Sequence, residues 1–130
     1  MKTLVVEDEF TGRAILQGIL GGFGECHVAV DAEEAIVAFR KAYDQSAPYN
    51  LVCMDIQLPG MDGIEAVKQI RAIEEEHGVL STSGTRILMT TAADQPREVV
   101  NSFHALCDAY LTKPISASTL LNKLKSLELV

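Results

Sequence analysis

No run of apolar residues in this chain approaches the length, about 18, that a membrane-spanning helix needs. The start, Met1-Lys2-Thr3-Leu4-Val5-Val6, joins a basic residue to apolar ones, but Glu7-Asp8-Glu9 interrupts it before a secretory signal core could form. A cytoplasmic protein without membrane contact is expected. Basic residues are also scarce: 11 Lys and Arg against 18 Asp and Glu leave a net charge of −7. A field of that sign repels phosphate backbones, so direct DNA or RNA binding is not expected. Cysteine is limited to Cys26, Cys53 and Cys107, an odd number without CxxC spacing. Two of the three adjoin apolar runs, which predicts buried, reduced thiols. Internal repeats and low-complexity tracts are missing, and no effector domain is expected beyond Val130. The 130 residues have the size of one domain, residues 1–130.

Apolar or alternating runs change places five times with helical patterns, which predicts βα units around a parallel sheet. The expected strands are Thr3–Val6, His27–Val30, Leu51–Met54, Ile87–Thr90 and Ala109–Leu111, the third and fourth most apolar and therefore central. A first helix carries Ile15, Leu16, Ile19 and Leu20 on one face and stops at Gly21-Gly22, where glycine can take the left-handed cap conformation. A second starts at Asp31 with Glu34 three residues on, resembling a capping box, and buries Ala35, Ile36, Phe39 and Ala42. A third follows Asp62-Gly63 with Ile64, Val67 and Ile70 inward, and a fourth follows Pro96 with Val99, Val100 and Phe103 inward. The last runs from Ser116 through Leu120, Leu121, Leu124 and Leu127. The acidic run Glu74-Glu75-Glu76 reads as a solvated helix face, and the Gly-, Ser- and Thr-rich stretch 78–85 as a mobile connector far from the other acids.

Acids and a lysine recur just past apolar runs: Glu7-Asp8 after the first strand, Asp55 after the third, Lys113-Pro114 after the fifth. In an open parallel sheet those positions share one edge and can meet in one crevice. Carboxylates gathered there raise one another's pKa, and a hard divalent cation removes that cost. Phosphoryl transfer asks a protein for an in-line nucleophile, a metal on the phosphoryl oxygens and donors for the rest. Asp55 is the candidate nucleophile. Asp8 and Asp55 are expected to ligate Mg2+ or Mn2+ directly and Glu7 through water. Lys113 offers a point charge and Thr91 a hydroxyl for phosphoryl oxygens. Singly, each has a structural explanation as a cap, a turn former or a solvated side chain. Their joint occurrence at successive strand ends favours the site.

With these residues in hand, the chain resembles the receiver domain of response regulators in two-component signalling, of the stand-alone, chemotaxis-type kind known from bacteria. The resemblance rests on Glu7-Asp8, on Met54-Asp55-Ile56-Gln57-Leu58-Pro59-Gly60-Met61-Asp62-Gly63, on Thr91-Ala92, and on Lys113-Pro114 following Tyr110. It implies a flavodoxin-like (βα)5 fold with strand order 2-1-3-4-5. It further implies that a sensor histidine kinase or a histidine phosphotransfer protein donates a phosphoryl group to Asp55. The backbone carbonyl of Gln57 then joins the metal ligands, and Thr91 and Tyr110 form a switch. The output face comprises the last two helices and fifth strand, near Val99, Phe103, Tyr110 and Leu121. Phe10, Arg13, Ala14 and Gln17 on the first helix become candidate kinase contacts. The only catalysis implied is of the chain's own phosphorylation and dephosphorylation. Output passes to a separate, unidentified protein, from a monomer or a weak dimer promoted by phosphorylation.

Three rivals can be weighed. A haloacid-dehalogenase-type phosphatase carries a second Asp two residues after its nucleophile, where this chain has Gln57, a group that cannot move a proton at neutral pH. A flavodoxin needs a phosphate-binding loop of backbone donors after strand one, where Glu7-Asp8-Glu9 would repel phosphate. A receiver fold used only for protein interaction is the remaining alternative, disfavoured because no site residue is missing. The resemblance also implies that Gln57 and Ala93 flank the path of the water that hydrolyses the acyl phosphate. A small alanine leaves that path open and predicts a short to intermediate phosphoryl lifetime. Ala93→Lys should therefore slow loss of the phosphoryl group, followed by intact mass over time; faster loss from the variant would refute the reading.

Overall fold

The computed structural model describes residues 1–61, 63–80, 83–92 and 107–130. The described elements are β1 (Thr3–Val6), α1 (Phe10–Leu20), a 3-10 turn (Gly21–Phe23), β2 (Cys26–Ala29), α2 (Ala32–Asp44), β3 (Leu51–Asp55), α3 (Gly63–Glu76), β4 (Arg86–Thr91), β5 (Ala109–Thr112) and α4 (Ala117–Ser126). All five strands are parallel, in the order β2-β1-β3-β4-β5, the flavodoxin-like order. The helix expected after Pro96, with Val99, Val100 and Phe103, lies outside the described residues, as do Asp62 and Ala93.

Successive strand residues point to opposite faces, and helices cover both, so β1, β3 and β4 can be apolar throughout. Leu4, Val6, Val52, Met54, Ile87 and Met89 pack with Phe39 of α2 and Val67 and Ile70 of α3. Val5, Leu51, Cys53 and Leu88 pack with Leu16 and Leu20 of α1 and Leu120 and Leu124 of α4. β3 holds the centre, with Leu51 to Met54 paired to β1 and Leu51 to Asp55 paired to β4.

Three helix expectations and the reading of the cysteines need adjustment. Ile15 is 47 % exposed, because the buried stripe of α1 runs through Leu16 and Leu20 and Ile15 is turned off it. Gly21 stays right-handed at φ −62°, and the chain reverses only at Gly24, φ 140°, where a Cβ would collide with the Met1 carbonyl. In α2 the Asp31 side chain accepts from Glu34 N at 2.8 Å as expected, while Ile36 is only half-buried. The thiol of Cys53 is fully enclosed and burial pushes its pKa up to about 12, but Cys26 and Cys107, both free, are only half-buried. Strand ends otherwise agree to within one residue.

Glu74 overturns the reading of its acidic run. Glu75 and Glu76 are exposed, but Glu74 is 1 % exposed, since it lies at the helix turn that faces β4. Its carboxylate accepts from Arg71 at 2.7 Å and from the Thr85 backbone N–H at 2.7 Å, and it occupies the space a side chain at Gly84 would fill. Arg71 also donates to the Thr85 carbonyl and reaches Asp108 at 3.1 Å, which in turn accepts from Ile87 N. One buried carboxylate thus ties the end of stretch 78–85 to the start of the sheet, at the edge opposite Asp55. Arg71→Ala strands that charge, and stability should fall by about 3 kcal/mol in urea unfolding; a loss under about 1 kcal/mol would contradict the network.

Candidate functional site

Because the strands are parallel, the residues that follow or close β1, β3, β4 and β5 share the carboxyl edge. Glu7 donates its N–H to Ala29 O at 3.1 Å, which prolongs the β1–β2 ladder by one residue and turns its side chain into the protein. Asp8, one step on, is exposed. Asp55 is the last residue of β3 and is 5 % exposed. Thr91 ends β4, also buried, with its hydroxyl toward Ala92 O at 3.3 Å. The β4–β5 ladder continues through Lys113 N to Thr91 O at 2.7 Å, so the edge strand delivers Lys113 directly over the acids.

Lys113 Nζ lies 2.6 Å from Glu7 Oε1 and 3.0 Å from Asp55 Oδ2. The other Asp55 oxygen accepts from Gln57 N at 2.9 Å, so both oxygens are held and the carboxylate plane is fixed. One oxygen each of Glu7, Asp8 and Asp55 falls within 4.8 Å of the others. Glu7 Oε2 is buried and accepts no hydrogen bond from the described residues. Behind this cluster the Arg13 guanidinium donates to the carbonyls of Glu7 at 3.1 Å and Asp8 at 3.3 Å, which pins the loop that carries both acids.

Among the described residues the electrostatics follow from three acids facing one cation. Burial, then the neighbouring Asp55 carboxylate, push Glu7 up to about 7, against the opposing pull of Lys113. Burial alone would lower Lys113, but its contacts with Glu7 and Asp55 outweigh that and hold it above its ordinary value. An unpartnered buried oxygen among clustered carboxylates is the donor set a hard divalent ion takes: all oxygen, anionic, close together. The residues present fit Mg2+, and nothing in the set separates it from Mn2+.

The structure therefore brings Glu7, Asp8, Asp55 and Lys113 together, with Thr91 at the neighbouring strand end. Gln57 contributes its backbone N–H, and its side chain is exposed. Tyr110 lies on the edge strand opposite Met89, 36 % exposed. On α1, Phe10 is 74 % exposed and Ala14 and Gln17 are exposed, while Arg13 is engaged with the acid-bearing loop and stacks over the Phe10 ring at 5.6 Å. From the sequence Arg13 reads as partner surface; its place in the first turns of α1, five residues after Asp8, is the signal that lets it reach back to the loop.

The response regulator receiver domain family matches residues 3–125. The chain belongs to the receiver family. Among curated relatives, the receiver is 35 % identical to a two-component response regulator, ORR41, of Oryza sativa over 92 % of this chain and 88 % of that one. It is 32 % identical to chemotaxis protein CheY-3 of Vibrio cholerae over 95 % of this chain and 88 % of the relative. Plant and bacterial proteins both stand among the relatives, so the similarity does not single out a bacterial pathway. Among solved structures, the receiver domain of the histidine kinase CKI1 from Arabidopsis thaliana, complexed with Mg2+ and BeF3−, superposes with TM-score 0.83 at 28 % identity, covering 98 % of this receiver and 89 % of that chain. Fold and family expectations from the sequence are thereby met. No helix among the described residues is long and apolar enough to cross a membrane.

A pH dependence follows from Glu7. Its raised pKa means that the folded, metal-free chain keeps a proton which the unfolded chain, with Glu near 4.5, has released. The associated stability is full below about 4.5 and is lost as pH rises through about 7. In EDTA, wild type should lose stability relative to Glu7→Gln between pH 5 and pH 8, measured by urea unfolding; a difference constant with pH would exclude the raised pKa.

Proposed function

We propose that this receiver accepts a phosphoryl group on Asp55 from the phosphohistidine of a sensor kinase or a histidine phosphotransfer protein, in a Mg2+-dependent reaction, and signals to a separate protein. The observation that carries this reading is the convergence of Asp55 with Glu7, Asp8 and Lys113 at one sheet edge. In the transfer, the nitrogen–phosphorus bond of the donor breaks and an Asp55 oxygen–phosphorus bond forms, while the histidine nitrogen recovers its lone pair. Asp55 enters as the carboxylate, so no base is needed.

This chain's own residues account for the remaining requirements. The Gln57 N–H and Lys113 Nζ hold Asp55 in one orientation, which is the positioning that phosphoryl transfer demands. Lys113, shared between Glu7 and Asp55, can pass to a phosphoryl oxygen without crossing the site. The Thr91 hydroxyl, whose contact among the described residues is a long one to Ala92 O, is available as a further donor. Glu7, Asp8, Asp55 and the carbonyl of Gln57 would hold the ion, which neutralises charge on the transferred group when bound. The Mg2+ and BeF3− bound by the CKI1 receiver support the same reading. Self-catalysed transfer and hydrolysis, a cytoplasmic setting, and a switch through Thr91 and Tyr110 belong to this proposal.

Intact mass after incubation with Mg2+ and acetyl phosphate tests it, with Asp55→Asn alongside. One added phosphoryl group is expected in wild type and none in the variant. No addition to wild type, under conditions where Mg2+ raises its melting temperature, would point instead to an interaction module that works without phosphorylation.

A further inference from the structure

Helix α1 carries two glycines, Gly12 and Gly18, at positions where glycine weakens a helix relative to alanine. Their surroundings differ. At Gly18 a Cβ would meet nothing within 4 Å. At Gly12 it would sit 2.8 Å from Glu7 Oε1, 3.3 Å from Glu7 Cδ and 3.4 Å from Glu7 Cγ. The Glu7 side chain thus lies flat against the bare Cα of Gly12. It has little freedom to yield: Glu7 is 1 % exposed and the oxygen nearest Gly12 is the one held by Lys113 at 2.6 Å.

Glutamate is one methylene longer than aspartate, and in this site the extra length has to go somewhere if the carboxylate is to stay with Lys113, Asp8 and Asp55. We infer that Gly12 is a positioning residue for the acid site: its missing side chain is the space that lets a glutamate at position 7 place its carboxylate among the ion ligands. A Cβ at position 12 would push Glu7 Oε1 off Lys113 and displace the carboxylate from its place near Asp8 and Asp55. An aspartate at position 7 ends one methylene earlier and would not need that space. The residues at 7 and 12 are therefore matched, and the helix-weakening glycine is kept for the site rather than for the helix.

The inference rests on the ion site proposed above, and its test separates the two. Mg2+ affinity by calorimetry and metal-free melting temperature are measured for wild type, Gly12→Ala, Glu7→Asp, the double variant and Gly18→Ala. Gly18→Ala should raise the melting temperature by about 3 °C and leave Mg2+ affinity unchanged. Gly12→Ala should weaken Mg2+ binding about tenfold or more, and give none of that melting gain. In the Glu7→Asp background the same Gly12→Ala change should leave Mg2+ affinity within about threefold of Glu7→Asp alone and recover the melting gain. Wild-type affinity in Gly12→Ala, or equal losses in both backgrounds, would overturn the inference. Should wild type bind Mg2+ yet take no phosphoryl group, the phosphoacceptor reading fails while the affinity cycle still decides the role of Gly12. Absence of Mg2+ binding by wild type would overturn the role in ion binding, even if the melting cycle showed the two residues to be coupled.

Discussion

The carboxyl edge depends on a like-charge constraint: three carboxylates with oxygens within 4.8 Å of one another, answered among the described residues by a single lysine. Such a cluster is costly in a folded chain, and here the cost is visible in Glu7, which burial and Asp55 push up to about 7. The fold holds the cluster together against that repulsion. β3, with a partner strand on each side and helices on both faces, fixes Asp55; β1 beside it fixes Glu7 and Asp8; and the Arg13 guanidinium, bonded to two carbonyls of the loop, prevents the acids from swinging apart. Apolar packing of strands against two helix layers supplies the rigidity, and the site draws on it.

The architecture was legible because each of its signals is local. Wholly apolar runs such as Leu51-Val52-Cys53-Met54 mark strands buried on both faces, and Asp31 with Glu34 marks a helix start. The acids and Lys113 were legible for a related reason: position at a strand end, in a parallel sheet, is enough to predict convergence. What escaped the sequence was anything that depends on which side chain fills which space. Glu74 belongs to a run of three glutamates, and only the packing of α3 against β4 decides that this one is buried and pairs with Arg71 and Thr85. Ile15 fits the same periodic pattern as Leu16 until the neighbours of α1 are known. Arg13 looks like surface because its partners are backbone carbonyls, which leave no mark in a sequence. Gly12 is equally silent, since the atom that explains it belongs to another residue.

The arrangement also sets where a change at Asp55 is felt. Among the described residues Lys113 is the one side chain that reaches both Glu7 and Asp55, and it directly follows β5, an edge strand paired with β4. Under the proposed function an added phosphoryl group would redistribute the lysine between old and new anions, while Asp55 itself, closing the central strand and paired with Thr90 of β4, has little room to move. On that reading a displacement would be directed along the residues that follow Lys113 and along the Lys113–Thr91 backbone bond that joins β5 to the end of β4. Both lead to the edge of the sheet, where Tyr110 is 36 % exposed. In this parallel sheet the central strand holds Asp55 and an edge strand holds its counter-charge, so the most constrained point of the fold and one of its least constrained are joined through Lys113.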